Sequence, residues 1–290
     1  MKLVVVVPLK DEEKTVKLLL SSIKKQSIQP EIIVLINDGS TDNTPQIISE
    51  FAEENENLIT LHNDPQPRST GGHVVRLVNQ GLRKIEENIP DWDVLLKIDG
   101  DVELLDENHF KFIINKFKEN HDLGIASGHV FYIEDDGTKV YESEYRWKTQ
   151  GQAKFYKREC FDAIGGIKPF KGWDGIDDIL ARSKGYITQK FFKYKVLHQY
   201  ETQTREAEGG IFAGVRREVL GYRYRAYPFY WYLLKTGKQV FKKPLVVRSV
   251  YFLIYSLYAN LFIKHKLNKT EVKICRDFLI KRFNDEFDYV

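Results

Sequence analysis

Short apolar runs that alternate with segments of helical spacing constrain this chain more than any other feature. Residues 3–7 form an unbroken apolar run dominated by valine and closed by Pro8, the pattern of a strand covered on both faces. Val16, Leu19, Leu20 and Ile23 then recur at intervals of three and four, as on one face of a helix, and residues 32–36 form a second buried strand. Thr44-Pro45 opens another helix, followed by a short strand over 58–61, a helix over about 73–85 and a strand over 94–98. Strict alternation of strand and helix predicts an α/β fold of Rossmann-like type, with a mostly parallel sheet flanked by helices.

In such sheets ligands sit beyond the carboxyl ends of the strands. Acids gather there: Lys10-Asp11-Glu12 follows the first strand, Asn37-Asp38 the second, and Asp99-Gly100-Asp101 the strand over 94–98. Solvated loop acids would account for any one of these, but three at one rim point to a site. Two carboxylates one residue apart suit a hard cation, because Mg²⁺ is typically held by one or two carboxylates together with substrate phosphates. Asp38 closes its strand where it could accept a nucleobase N–H, although with Ser40 it could equally shape a turn. Asp42 is assigned to capping the next helix.

Farther on, residues 124–157 read as extended segments with a turn at Asp135-Asp136-Gly137, and 158–164 as a short helix ending at Gly165-Gly166. The stretch Gly172-Trp173-Asp174-Gly175-Ile176-Asp177-Asp178 places three acids at a helix start. Acids favour the positive end of a helix without any chemistry, yet a carboxylate there could also serve as a general base toward an acceptor hydroxyl. Trp173 could stack on a sugar or simply pack. His198 follows a strand-like run over 194–197, and the polar segment 202–210 reads as a lid carrying Arg205.

Val7-Pro8 with Asp11-Glu12-Glu13, Asn37-Asp38-Gly39-Ser40-Thr41-Asp42, Asp99-Gly100-Asp101, and Gly165-Gly166 leading to Asp177-Asp178 resemble, in order and spacing over roughly residues 1–200, the inverting family 2 glycosyltransferases of the GT-A fold. The resemblance implies a nucleotide-sugar site to which Pro8, Asp11 and Glu12 belong, with Asp38 at the base and Asp99, Gly100 and Asp101 at the ribose and metal-diphosphate. By the family's acidic pair ahead of an apolar helix, Asp178 aligns with the general base and Asp177 with its partner, while Asp174 ranks third for that role and stands with Trp173 on the acceptor side. Some members place a further metal-binding histidine where His198 stands. The stretch from Thr70 to Asn79 looks like the family's glycine-rich helix start, which brings Arg76 to the nucleotide. Asn37 stands where the family usually has Asp, and Lys10-Asp11 where it often has Tyr-Asn. The expected reaction is inverting transfer from a UDP- or GDP-sugar to a hydroxyl of a glycan or lipid-linked acceptor, with Mn²⁺ or Mg²⁺ as cofactor. A sugar-phosphate nucleotidyltransferase would carry a basic glycine-rich loop where Lys10-Asp11-Glu12-Glu13 is acidic, and a non-catalytic glycan- or membrane-binding module on the same fold would not need these acids.

Two widely separated cysteines, Cys160 and Cys275, imply neither a disulfide framework nor a zinc cluster. The apolar start is too short for a signal peptide, so a cytoplasmic location is expected. Between residues 214 and 282 the character changes, with sixteen Lys or Arg against three acids, interleaved with aromatics. This divides the chain into a nucleotide-sugar-binding and catalytic domain, 1–210, and a basic, aromatic-rich helical region, 211–290. The uncharged run 249–263 falls short of the roughly 20 residues needed to span a bilayer. Flanked by Arg216-Arg217, Lys242-Lys243, Arg248, Lys264 and Lys266, it reads either as a peripheral surface on anionic lipid at the cytoplasmic face or as helices packed on the catalytic domain or a homo-oligomer partner. No motif that reads nucleic acid accompanies the basic patch, and nucleic acid is not expected as a partner.

Overall fold

The computed structural model describes residues 1–65, 72–199, 210–239 and 245–283. In chain order the elements are β1 (Leu3–Leu9), α1 (Val16–Lys24), β2 (Ile32–Asn37), α2 (Thr44–Glu53), β3 (Leu58–His62), α3 (Gly72–Asn88), β4 (Val94–Ile98), β5 (Val102–Leu104), α4 (His109–Glu119), β6 (Leu123–Ile133), β7 (Lys139–Tyr141), β8 (Ala153–Lys157), α5 (Arg158–Ala163), α6 (Trp173–Ser183) and β9 (Ile187–His198). The helices α7 (Gly210–Tyr224), α8 (Phe229–Gln239), α9 (Leu245–Phe262) and α10 (Lys269–Phe283) follow.

The strands form one sheet in the order β3-β2-β1-β4-β8-β6-β9-β5, with β7 paired to β6. The half built from β3, β2, β1 and β4 is parallel, as the alternation of strands and helices predicts. Beyond β4 the sheet is mixed: β8 runs antiparallel to both β4 and β6, β9 is parallel to β6, and β5 is antiparallel to β9. The elements not read from the sequence, β5, α4 and most of β9, lie in or against this mixed half. There, lysines within the strands interrupt the apolar runs, as in Lys190, Lys193 and Lys195 of β9.

Because side chains alternate across a strand, β1 serves two cores at once. Leu3, Val5, Val7 and Leu9 join a core with α1, α2 and α4, while Val4 and Val6 join one with α3, α5 and α6. Cys160 and Cys275 are both free and buried. Helices α7, α8 and α9 share a smaller core of Val215, Val219, Tyr232, Phe252 and Ala259, whereas α10 packs back on α6 and lends Cys275 to the second main core.

Helix α3 lies so close to the sheet that a Cβ on Gly81 would stand 2.7 Å from Val6 Cγ1 and 2.9 Å from Ile36 Cδ1. Replacing glycine in a helix interior ordinarily gains up to about 1 kcal/mol, but overpacking costs about 1–3 kcal/mol. Gly81→Val is therefore expected to lower the free energy of unfolding in denaturant titration. An unchanged or raised midpoint would contradict this close approach.

Candidate active site

The parallel register brings the carboxyl ends of β1, β2 and β4 side by side, and the loops that follow β1 and β2 brace one another. The Asp11 amide donates to Ser40 Oγ at 2.9 Å, and the Thr41 amide donates to Asp11 Oδ1 at 2.8 Å. The Glu12 amide donates to Thr44 Oγ1 at 2.7 Å, and the Glu12 carboxylate accepts from Thr15 Oγ1. Asp42 accepts the amides of Glu13 and of Thr44, the first residue of α2; the N-cap position itself falls to Asn43, so Asp42 ties down the helix start from one residue before the cap position expected of it. Pro8 lies within β1 opposite Ile36. In this structure Pro8, Asp11 and Glu12 thus shape the rim from below.

Asp38 directly follows β2, and its Oδ2 lies 2.7 Å from His73 Nε2. Arg76 Nη2 stands 3.1 Å from the other ring nitrogen of His73. These residues line a pocket of about 410 Å³ with Asn63, Asp64 and Gln80, in which the Asn63 and Gln80 amides bond each other reciprocally. The turn above Asp38 needs glycine: Gly39 has φ of 61°, and a Cβ there would collide with Pro65. His73 lies in the glycine-rich helix start, but no spacing in the sequence singles it out as the partner of Asp38.

One strand over, the Asp99 amide donates to the Gln152 carbonyl at 2.8 Å. The ammonium of Lys97, buried within β4, donates to Asp99 Oδ1 at 2.6 Å and to the Gly151 carbonyl at 2.7 Å. Burial pushes the Asp99 carboxyl up, Lys97 pulls it back and Asp101 pushes it up again. Pairing of β5 with β9 sets Val102 opposite His198, so Asp101 and His198 meet with Oδ2 and Nε2 3.3 Å apart. His198 Nδ1 lies 3.3 Å from Glu142 Oε1, whose other oxygen accepts from Gln152 Nε2. Burial opposes a charge on His198, but its bonds to Asp101 and Glu142 win and hold it at about 10. Glu142 comes from the end of the β6–β7 hairpin, a placement that local pattern does not reveal. Among the described residues no group of three His, Cys, Asp or Glu is arranged to grip a metal.

The three acids of α6 part company. Lys154, fully buried in β8, donates to Asp177 Oδ1 at 2.6 Å and to the Asp174 carbonyl at 2.7 Å, and lies 3.2 Å from Asp178 Oδ1. Tyr156 Oη donates to Asp177 Oδ2, while Thr149 donates to Asp178 from both its hydroxyl and its amide. Burial works against the charge on Lys154, but the two aspartates hold it above its usual range. Asp177 and Asp178 are 1% and 0% exposed, so neither presents an open carboxylate to an acceptor hydroxyl, which differs from the sequence expectation for the general base. Trp173 is likewise buried, with the ammonium groups of Lys97 and Lys154 5.1 and 5.9 Å from its ring, so it packs rather than offering a face to a sugar.

Asp174 is half-buried one turn nearer the rim. It packs on Gly151, where a Cβ would lie 3.1 Å from its own, and the Gly151 carbonyl is the one that takes Lys97. Burial alone would raise its carboxyl, but Arg225, Lys148 and Lys154 hold it below the usual carboxylate range. Beside it opens a pocket of about 530 Å³ lined by Glu142, Trp147, Lys148, Gly175, Arg225 and Tyr227. Two pockets thus open near these acids, one lined by Asp38 itself and the other by Gly175, the neighbour of Asp174. Thr70, Gly71, the segment 202–209 with Arg205, and Lys242-Lys243 lie outside the described residues.

Residues 4–172 match the family model described as glycosyl transferase family 2. The poly-beta-1,6-N-acetyl-D-glucosamine synthase of Staphylococcus aureus (strain COL) is 25% identical over 118 residues, 41% of this chain and 26% of that protein. The chain thus spans about a quarter of the length of the curated relatives it matches. Among solved structures, the mannosyltransferase PcManGT from Pyrobaculum calidifontis, in complex with GDP-Man and Mn²⁺, superposes with a TM-score of 0.56 at 15% identity, covering 99% of this chain and 88% of that one. S. aureus TarS 1-349 in complex with UDP-GlcNAc gives 0.56 at 15% identity, covering 97% and 81%. At such identity the likeness is one of fold, and it bears out the GT-A architecture.

The buried cluster on α6 carries a stability expectation. Lys154→Met would strand two aspartates without their counter-ion, and removing one partner of a buried ion pair costs about 3–5 kcal/mol. Denaturant titration should show a loss of that order. A variant as stable as the parent would mean that Asp177 and Asp178 are not held by Lys154.

Proposed function

The chain belongs to glycosyl transferase family 2, and from that premise we propose that it moves a sugar from a UDP- or GDP-sugar to a hydroxyl of a glycan or lipid-linked acceptor, with inversion at the anomeric carbon. The observation that carries this reading is the pair of pockets, the first lined by Asp38 and the second by Gly175, the neighbour of Asp174, together with the Asp99-Gly100-Asp101 turn. A nucleotide needs the first, an acceptor the second, and a diphosphate a cation held by the acids of the turn.

In the first pocket Asp38 receives the base, in exchange for or together with its bond to His73, and Arg76 stands beside it as a cation for phosphate. Asp99, Asp101 and His198 are the residues that would hold a divalent cation: two carboxylates and an imidazole supply donor types that such an ion takes, and binding would displace the proton that Asp101 and Glu142 hold on His198 and draw together groups now paired with Lys97 and Glu142. Such a cation supplies charge neutralisation for the departing diphosphate. Lys97 fixes the direction of Asp99 from beneath.

Asp174 is the general base in this reading. The acceptor oxygen forms a bond to the anomeric carbon, the bond from that carbon to the diphosphate oxygen breaks, and the acceptor's proton passes to the Asp174 carboxylate. A base must be ionised and within reach of the hydroxyl. The cations around Asp174 favour its ionised form, and Asp174 is less buried than Asp178 and adjoins Gly175 in the wall of the second pocket, which supports the choice of Asp174 over Asp178.

Loss of a positioned general base typically costs about 10²–10⁴ in rate. Asp174→Asn should therefore lower kcat at least about 100-fold while calorimetry shows donor affinity preserved, and Asp178→Asn should keep transfer but melt at lower temperature. If Asp178→Asn abolishes transfer with parental melting, the base is Asp178. A separate expectation concerns the cation: Asp101→Ala should weaken Mn²⁺-dependent donor binding, seen in titrations with and without the metal.

A further inference from the structure

Helix α9 packs against α7 and α8 through one side only. On α9, Ser249, Phe252, Ser256 and Ala259 are buried, while Val250, Ile254, Leu257 and Leu261, at intervals of four, three and four along the opposite face, are 43–75% exposed. Leu233 and Leu234 of α8 are about half exposed as well. From Ser249 to Ile263 there is no charged residue. At 1.5 Å per residue α9 is about 27 Å long, and no helix among the described residues is long and apolar enough to cross a membrane. Monomeric proteins rarely leave so continuous an apolar face in water.

Charge identifies what covers it. Residues 214–282 hold sixteen Lys or Arg and three acids, whereas the rest of the chain holds 28 and 38. The charge therefore changes sign along the molecule, and the apolar face belongs to the basic part. Exposed Lys264 and Lys266 follow α9 directly, and exposed Arg216 lies on the adjacent α7. A second copy docking through this face would bring two strongly basic surfaces together, whereas an anionic bilayer offers both an apolar interior and the opposite charge.

We propose that the exposed face of α8 and α9 seats this protein on an anionic lipid bilayer, lying in the interface with Val250, Ile254, Leu257 and Leu261 among the acyl chains and the lysines at the headgroups. Arg225 and Tyr227, at the turn from α7 into α8, line the pocket beside Asp174, so the helical region that would be seated also forms part of that pocket's wall. The docking stands on the exposed face and the charge, apart from the transferase reading.

The test is co-sedimentation of the full chain with vesicles of phosphatidylcholine alone or of phosphatidylcholine mixed with phosphatidylglycerol. The chain should pellet with the anionic vesicles, less so as salt is raised, and hardly at all with the neutral ones. Ile254→Glu combined with Leu261→Glu should reduce the vesicle-bound fraction at least tenfold. Both side chains face outward, so circular dichroism and the melting temperature should match the parent. Two results would overturn the proposal: no pelleting with anionic vesicles, or a parental dimer in ultracentrifugation that the double substitution dissolves while vesicle binding is absent, which would make the face a contact between copies.

Discussion

The ammonium group of Lys154 is the interaction on which the arrangement at the rim depends. Taking a lysine and two aspartates out of water costs several kcal/mol per ion, which only close pairing offsets. Its bonds to Asp177, Asp178 and the Asp174 carbonyl fasten the first turns of α6 to β8. With that turn fastened, Asp174 is held where α6 meets the rim, and Trp173 rests on the cross-strand pair Lys97 and Lys154. Lys97 in turn sets Asp99. Two lysines buried in neighbouring strands therefore hold both sides of the site in register, one beneath the acids of the turn and one beneath the acids of the helix.

Much of this was legible in the sequence. The apolar runs at 3–7, 32–36 and 94–98 mark strands buried on both faces, and the acids following them stand at the rim for that reason alone. The mixed half of the sheet was less legible because its partners are distant in sequence. His198 reaches Asp101 through the β5–β9 pairing, and Glu142 arrives from a hairpin. Asp174 and Asp178 show the limit most sharply. At a spacing of four they share one face of α6, and the sequence cannot distinguish the carboxylate at the rim from the one about 6 Å deeper. The decisive fact is Lys154, a charge inside a strand some twenty residues earlier, whose partners only the fold reveals.

The two ends of the chain present opposite electrostatic characters, and the site lies where they meet. In the proposed reading the acids of the rim take a cation, and through it a diphosphate. The basic helices supply Arg225, which both helps keep Asp174 ionised and lines the pocket beside it. If Asp174 is the base, as proposed, the C-terminal helices contribute to the chemistry of the site, because its charge state depends partly on a residue they carry.

The central claim, that the rim binds a nucleotide-sugar through its acids and a cation, is tested most directly by isothermal titration of the unmodified chain with a panel of UDP- and GDP-sugars in the presence and absence of Mn²⁺. The account predicts saturable binding of at least one donor that is strongly enhanced by the metal. Absence of metal-dependent binding for every donor in the panel would contradict it.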